Sequence, residues 1–130
     1  MHGVAYLQEQ IAQKVENLYA VSADVNSEIT ITSGATEALF VAIHTLVGNG
    51  DEIIVFDPAF DSYDPAIKLA GGRAIHIPLS SSSFSIDWER VSEAITPRTR
   101  AIIINSPHNP TGSVISSTDL DELAKLACAK

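Results

Sequence analysis

Four times between Glu28 and Lys130 a short apolar run is followed by a segment of helical period, and this alternation constrains the fold more than any other feature. The runs are "EITITS" (Glu28–Ser33), "EIIVFD" (Glu52–Asp57), "RAIHIPL" (Arg73–Leu79) and "RAIIIN" (Arg100–Asn105). The segments that follow predict helices over Ala35–Val47, Asp61–Gly72, Asp87–Ile95 and Ser117–Lys130. A further amphipathic helix precedes them, with Leu7, Ile11, Val15 and Leu18 at helical spacing. Strands separated by helices are joined by crossovers, so the chain is predicted to be α/β, with a mostly parallel sheet and helices on both faces. "IIVF" and "AIII" do not alternate, which predicts strands covered on both sides. The punctuation agrees. "GNGD" stops one helix, the paired glycines Gly71 and Gly72 stop another, and Asp87 is placed to cap a third. Pro65 falls near a helix start, where a missing N–H costs little. The last helix has no C-cap and no strand follows to bury it, so the chain is expected to be incomplete, the first part of a larger domain.

Several functions are excluded or disfavoured at this level. The net charge is −8, from 8 basic and 16 acidic residues, and a phosphate-backbone binder needs the opposite sign. Cys128 is the single cysteine, so no internal disulfide can form; it reads as a small apolar residue of the last helix. The opening "MHGVAYLQEQIAQ" has no basic n-region followed by an apolar stretch, and no apolar run reaches the ~20 residues that cross a bilayer. The expectation is a cytoplasmic protein with no membrane and no nucleic-acid partner. No metal-spaced His/Cys cluster and no G-x-S-x-G elbow occurs.

Ligands of open α/β sheets bind beyond the carboxyl ends of the strands, so the strand-to-helix junctions are the places for chemistry. In "TSGATEALF" (Thr32–Phe40) Gly34 permits close backbone approach and a helix begins at once. The free N–H groups of Ala35, Thr36 and Glu37 would then face one point with the positive end of the helix dipole, which suits a phosphate. An ordinary turn capped by Thr36 fits the same spacing. In "FDPAFDSY" (Phe56–Tyr63), Phe60 and Tyr63 follow a strand end, where an aromatic could stack on a flat ring or simply belong to the core. In "NSPHNPTG" (Asn105–Gly112), Pro107 and Pro110 stiffen a loop that could hold a side-chain amide in a fixed direction. His108 sits in that loop with no carboxylate nearby in sequence, and reads better as a loop histidine than as a general base. His44 and His76 lie within a helix and a strand and are expected to face partners or solvent, and His2 is terminal.

The junctions are more specific together than singly. "TSGATEALF", "GDEIIVFDPAFDSYDP", "LAGGRAIHIPL" and "ITPRTRAIIINSPHNPTG", in this order and spacing, resemble the class I/II aminotransferases of the pyridoxal-phosphate fold type I, and most of all the methionine and kynurenine aminotransferase branch. The resemblance runs from about Gly3 to about Leu126. It implies the cofactor pyridoxal 5′-phosphate. Gly34, Ala35 and Thr36 match the phosphate cup, Phe60 the aromatic that stacks on the pyridine ring, and Asn109 the donor to the 3′-oxygen. Tyr63 matches a position near ring and substrate. It also implies cis bonds at Asp57–Pro58 and Asn109–Pro110.

By the same resemblance, the whole enzyme exchanges an amino group between an amino acid and a 2-oxo acid in ping-pong fashion and forms a homodimer. The lysine that bonds the cofactor covalently matches none of Lys14, Lys68, Lys125 and Lys130, and is expected beyond the chain. The substrate-gripping arginine of the small C-terminal domain matches none of Arg73, Arg90, Arg98 and Arg100. Residues 1–130 therefore read as part of the large, cofactor-binding domain, with the small domain absent and the chain alone inactive. A chain of this kind leaves sheet edges and helix faces uncovered and is expected to be marginal or self-associating. The alternatives are a carbon–sulfur lyase or decarboxylase on the same scaffold, or a non-catalytic sensor module of aminotransferase type.

Overall fold

The computed structural model describes residues 3–128; His2, Lys130 and the end of the last predicted helix lie outside the described residues. The chain divides into two units, Met1–Ala38 and Leu39–Lys130.

The first unit is built on α1 (Ala5–Tyr19), which ends where Ala20 turns left-handed (φ 54°) and donates its N–H to the Glu16 carbonyl at 2.9 Å. Its one buried residue is polar: Gln8 donates from Nε2 to the Ile29 carbonyl at 2.7 Å. Leu7 and Leu18, two of the four residues of the predicted apolar stripe, are exposed. A turn follows in which the Asp24 carboxylate accepts from Asn26 N and Ser27 Oγ, and these bonds hold its pKa below the ordinary value. The strand predicted over Glu28–Ser33 does not form. Alternation supplies one face, but a strand exists only in a ladder. Here the Ile29 carbonyl is taken by a side chain, and no described strand pairs with this segment.

The second unit holds a parallel sheet of three strands in the order β2-β1-β3: β1 (Glu52–Asp57), β2 (Arg73–Pro78) and β3 (Thr99–Ile102). β1 is central, and Ile53, Ile54, Val55 and Phe56 are all buried, as their non-alternating pattern predicts. β3 is shorter than predicted and its residues are at most half-buried, because it pairs with β1 on one side only. The ladder continues one bond further, from Ile103 N to the Ile54 carbonyl at 2.9 Å. β1 pairs with β2 from Glu52↔Arg73 to Asp57↔Pro78, with Val55 opposite His76.

Strand period divides the core into two faces. Ile53 and Val55 pack with Ile43 and Val47 from α2 (Ala35–Leu46) and its end, and with Tyr63, Ala66 and Ile67 of α3 (Tyr63–Leu69). Ile54, Phe56 and Ile77 pack with Val91 of α4 (Trp88–Ala94), with Trp88 alongside and Leu126 of α5 (Ser117–Cys128) at the margin. Helices thus cover both faces, the α/β architecture expected. α3 begins at Tyr63 rather than Asp61, which puts Pro65 in the first turn, where no intrahelical donor is lost. It ends at the paired glycines, and Gly72 is required there. A Cβ would lie 2.6 Å from Val47 Cγ1 and 3.1 Å from the Asp51 carbonyl oxygen.

Asp87 caps α4, accepting from Arg90 N at 3.1 Å. The cap of α5 is Ser116, one residue before the predicted start. Its Oγ accepts from Asp119 N, and Asp119 Oδ2 accepts from Ser116 N. Trp88 Nε1 donates to the other Asp119 oxygen at 2.8 Å, so one carboxylate caps α5 and ties it to α4. On α5, Leu123 and Leu126 are half-buried while Leu120 is exposed. Cys128 is exposed too, contrary to the apolar role predicted for it. At the amino edge of the sheet, the buried Glu52 takes Arg73 Nη2 (2.7 Å), Arg98 Nε (3.0 Å) and Arg98 Nη2 (2.8 Å) on Oε1, and Thr96 Oγ1 (2.6 Å) on Oε2.

Candidate functional site

The first unit contributes the amino end of α2. Gly34 has φ +94°, a conformation that strains any residue with a side chain, and a Cβ built on it meets nothing within 4 Å. Thr32 Oγ1 donates to the Gly34 carbonyl at 2.9 Å, and the helix starts at Ala35. The Glu37 carboxylate turns back to accept from Ser33 N, ahead of the helix. It thereby leaves the first-turn amides of Ala35 and Thr36, which have no partner within a helix, at the surface. Both residues are exposed, and the Thr36 hydroxyl has no hydrogen-bond partner among the described residues. The turn is therefore not capped by Thr36, and the amides and hydroxyl remain available to an anion.

The second unit contributes two segments. After β1 the chain passes the cis bond Asp57–Pro58 to Phe60, whose carbonyl accepts from Tyr63 N at 3.1 Å. The two rings meet edge to face, centroids 5.7 Å apart at 80°. Phe60 rests half-buried against the core, while Tyr63 is buried, and burial raises the pKa of its hydroxyl. Phe60 thus belongs partly to the core and still presents surface on which a flat ring can lie.

Ser106–Ser116 forms the other segment. Asn109–Pro110 is cis, and so is Ser106–Pro107, which sequence did not indicate. The loop closes on itself. His108 N donates to the Ser113 carbonyl (2.7 Å), Gly112 N to the His108 carbonyl (2.6 Å) and Ile115 N to Ser106 Oγ (3.1 Å). The His108 ring meets Thr111 Oγ1 at 2.9 Å rather than a carboxylate, and lines a cavity of about 130 Å³ with Phe56, Phe84 and Asn105. A histidine so engaged holds loop shape. Asn109, by contrast, is exposed, and its amide has no hydrogen-bond partner among the described residues. The loop therefore fixes the backbone on either side of a side chain left free to donate.

Sequence reasoning missed one cluster. His76 faces two carboxylates, with Nδ1 2.9 Å from Asp57 Oδ1 and Nε2 3.0 Å from Asp64 Oδ1. Asp57 raises its pKa most, opposed by partial burial and helped by Asp64. The register of β1 and β2 places Asp57 and His76 on one face of the sheet, and no sequence signal fixes that register. His44, on α2, stacks on Phe40 and meets its carbonyl at 3.0 Å. Among the described residues no group of three His, Cys, Asp or Glu side chains could hold a metal ion, and no helix is long and apolar enough to cross a membrane.

A sequence model described as aminotransferase class I and II matches residues 1–130. The chain belongs to the class I and II aminotransferases. Enzymes of this family depend on pyridoxal 5′-phosphate. Among curated members, the chain is 49% identical over 123 residues to a methionine aminotransferase of Escherichia coli, covering 95% of this chain and 32% of that one. It is 42% identical over 129 residues to a probable N-succinyldiaminopimelate aminotransferase of Mycobacterium tuberculosis, covering 98% and 32%. Among solved structures, one reported to identify a methionine aminotransferase function in Escherichia coli aligns with TM-score 0.95 and 46% identity, over 98% of this chain and 34% of that one. The chain thus spans about a third of the length of the aminotransferases it matches. Each segment taken by itself suits a part of the family's cofactor: exposed helix-start amides and a hydroxyl suit a phosphate, an aromatic surface suits a pyridine ring, and an unengaged amide suits an oxyanion.

Proposed function

We propose that this chain is the cofactor-holding portion of the large domain of an aminotransferase that moves an amino group between an amino acid and a 2-oxo acid. Gly34, Ala35 and Thr36 take the phosphate of pyridoxal 5′-phosphate, by backbone N–H groups and the Thr36 hydroxyl. Phe60 stacks on the ring. Asn109 donates to the 3′-oxygen and favours its anionic form. Tyr63 braces Phe60 from the side. When bound, the cofactor supplies an electron-withdrawing ring that accepts the electron pair released as the amino acid loses its α-proton. The residues named here bind and orient.

The observation that carries the reading is the Ser106–Ser116 loop. It is closed by its own hydrogen bonds around an Asn109 amide that no described residue engages, within a chain that matches the family throughout. The two curated relatives named above bear different substrate names, yet the one of higher identity is a methionine aminotransferase. Methionine or an aromatic amino acid is accordingly the proposed donor. The complete protein is proposed to be a cytoplasmic homodimer.

Two of the lysines set aside on sequence are engaged in ion pairs. An imine-forming lysine works best when burial or a like charge depresses its pKa. Lys68 instead pairs with Asp64 at 3.2 Å, and Lys125 with Glu122 at 2.7 Å, a contact that raises its pKa. The purified 130-residue chain is therefore expected to produce no 2-oxo acid from methionine or phenylalanine in the presence of pyridoxal phosphate and an acceptor oxo acid. It is expected to retain pyridoxamine 5′-phosphate in equilibrium dialysis, and this ligand cannot form an imine with lysine. Turnover above that of free cofactor would overturn the division of labour proposed here, and absence of retention would overturn the cofactor site.

A further inference from the structure

We propose that His76, held as an imidazolium between Asp57 and Asp64, is a positioning residue that clamps segment 58–63 and so fixes the attitude of Phe60. The inference rests on the assignment of Phe60 to the cofactor ring. The geometry carries it as follows. His76 lies on β2 opposite Val55, with Asp57 at the carboxyl end of β1 and Asp64 in the first turn of α3. The two carboxylates bracket the segment that contains Phe60 and Tyr63. Both ring nitrogens sit at hydrogen-bond distance from a carboxylate oxygen, 2.9 Å at Nδ1 and 3.0 Å at Nε2. A neutral imidazole would turn a lone pair on one of the carboxylates, whereas the imidazolium hydrogen-bonds Asp57 through Nδ1 and sets its positive charge against Asp64 at Nε2. Asp64 Oδ1 adds to this. It is buried and has no hydrogen-bond partner among the described residues, so the 3.0 Å contact with His76 Nε2 is an ion pair that sets a positive charge against it. The other Asp64 oxygen is held by Lys68 Nζ at 3.2 Å.

The charged groups around the ring are thus Asp57 from β1 and Asp64, backed by Lys68, from α3. α4, which carries Glu89, Arg90 and Glu93, packs on the opposite face with Ile77 and Val91. Two anions near one half-exposed histidine favour its charged form, and Asp57 contributes most. The pH dependence follows with a definite sign. A folded pKa raised above the ordinary ~6.5 means that the clamp is complete below that value and is lost as pH rises through the raised one. The segment bearing Phe60 is therefore held below about pH 6.5 and loosened as pH rises through the raised value.

Long-range ¹H–¹⁵N spectra of the chain test the clamp directly. Both His76 ring nitrogens are expected to be protonated at pH 6, the midpoint to lie above that of an unperturbed histidine, and Asp57→Asn to lower it. In His76→Gln the amide of Tyr63 is expected to exchange severalfold faster, and pyridoxamine 5′-phosphate to bind severalfold more weakly. His76→Arg, which can donate to both carboxylates, is expected to restore both properties and to remove the alkaline weakening seen in the parent; the ligand's own titration is common to all three proteins. A His76 midpoint at or below that of an unperturbed histidine, or a His76→Gln chain with unchanged Tyr63 exchange and unchanged affinity, overturns the proposal. A parent chain that binds no ligand while its His76 is doubly protonated overturns the assignment of Phe60 instead, and the part of the proposal that depends on it.

Discussion

Glu52→Ala is expected to cost the sheet its cooperative unfolding at neutral pH, with a fall in melting temperature of at least about 10 °C. Glu52 is one of two buried polar or charged side chains among the described residues, and it accepts from two guanidinium groups and the Thr96 hydroxyl. It joins the amino end of β1 to β2 through Arg73 and to the β3 approach through Thr96 and Arg98. Alanine leaves all these donors without their acceptor. Arg73→Ala or Arg98→Ala should do much less, because each arginine is largely exposed and the other still holds Glu52. The pH profile supplies a second sign. The Thr96 hydroxyl, then Arg73 and Arg98, hold Glu52 down to about 2 from an ordinary 4.5. The folded state therefore binds fewer protons than the unfolded one in this window. The stabilisation is full above about 4.5 and is lost as pH falls towards about 2. Circular dichroism melts from pH 7 to pH 2 should show the parent losing stability in that range and Glu52→Gln losing little more. A Glu52→Ala chain that melts within a few degrees of the parent would contradict the account.

Asn109→Ala is expected to weaken pyridoxamine 5′-phosphate binding by about ten- to a hundredfold, because a hydrogen bond to a charged oxygen is worth ~1.5–3 kcal/mol. Phe60→Ala is expected to weaken it by up to about tenfold, the scale of an aromatic stacking contact beyond its buried area. The two should separate by pH. The Asn109 effect depends on the anionic 3′-oxygen and should shrink as that oxygen is protonated, while the Phe60 effect should persist. His108→Ala provides the contrast. Its ring braces the loop through Thr111, so its effect on affinity should be smaller than that of Asn109→Ala and accompanied by faster amide exchange at Gly112 and Ser113. Equal losses for Asn109→Ala and His108→Ala would mean that the loop acts by shape alone.

The fold was legible where local pattern and tertiary context agree. β1 is apolar on both sides and central, so its predicted bounds and burial hold residue for residue. Asp87 caps α4 because a short acceptor stands beside a free N–H, a purely local event. The failures occurred where a neighbour decides. Glu28–Ser33 alternates like a strand but has no ladder partner among the described strands. "AIII" reads as doubly covered, but β3 is an edge and stays half-exposed. The amphipathic stripes of α1 and α5 meet no covering layer at Leu7, Leu18 and Leu120, a property of what lies opposite and not of the stripe. At the site, Gly34 and Asn109 were legible because positive φ and proline-stiffened loops have residue signatures. The His76 clamp was not, since it joins three elements whose register sequence does not specify.

The central claim is that Gly34, Ala35, Thr36, Phe60 and Asn109 serve one ligand. Residue-resolved ¹H–¹⁵N titration of the chain with pyridoxamine 5′-phosphate tests it most directly. The account predicts saturable shifts with a single dissociation constant at the amides of Gly34, Ala35, Thr36 and Phe60 and at the side-chain amide of Asn109, all weakened together in Asn109→Ala. Shifts confined to one of these segments, or different constants for them, would contradict it.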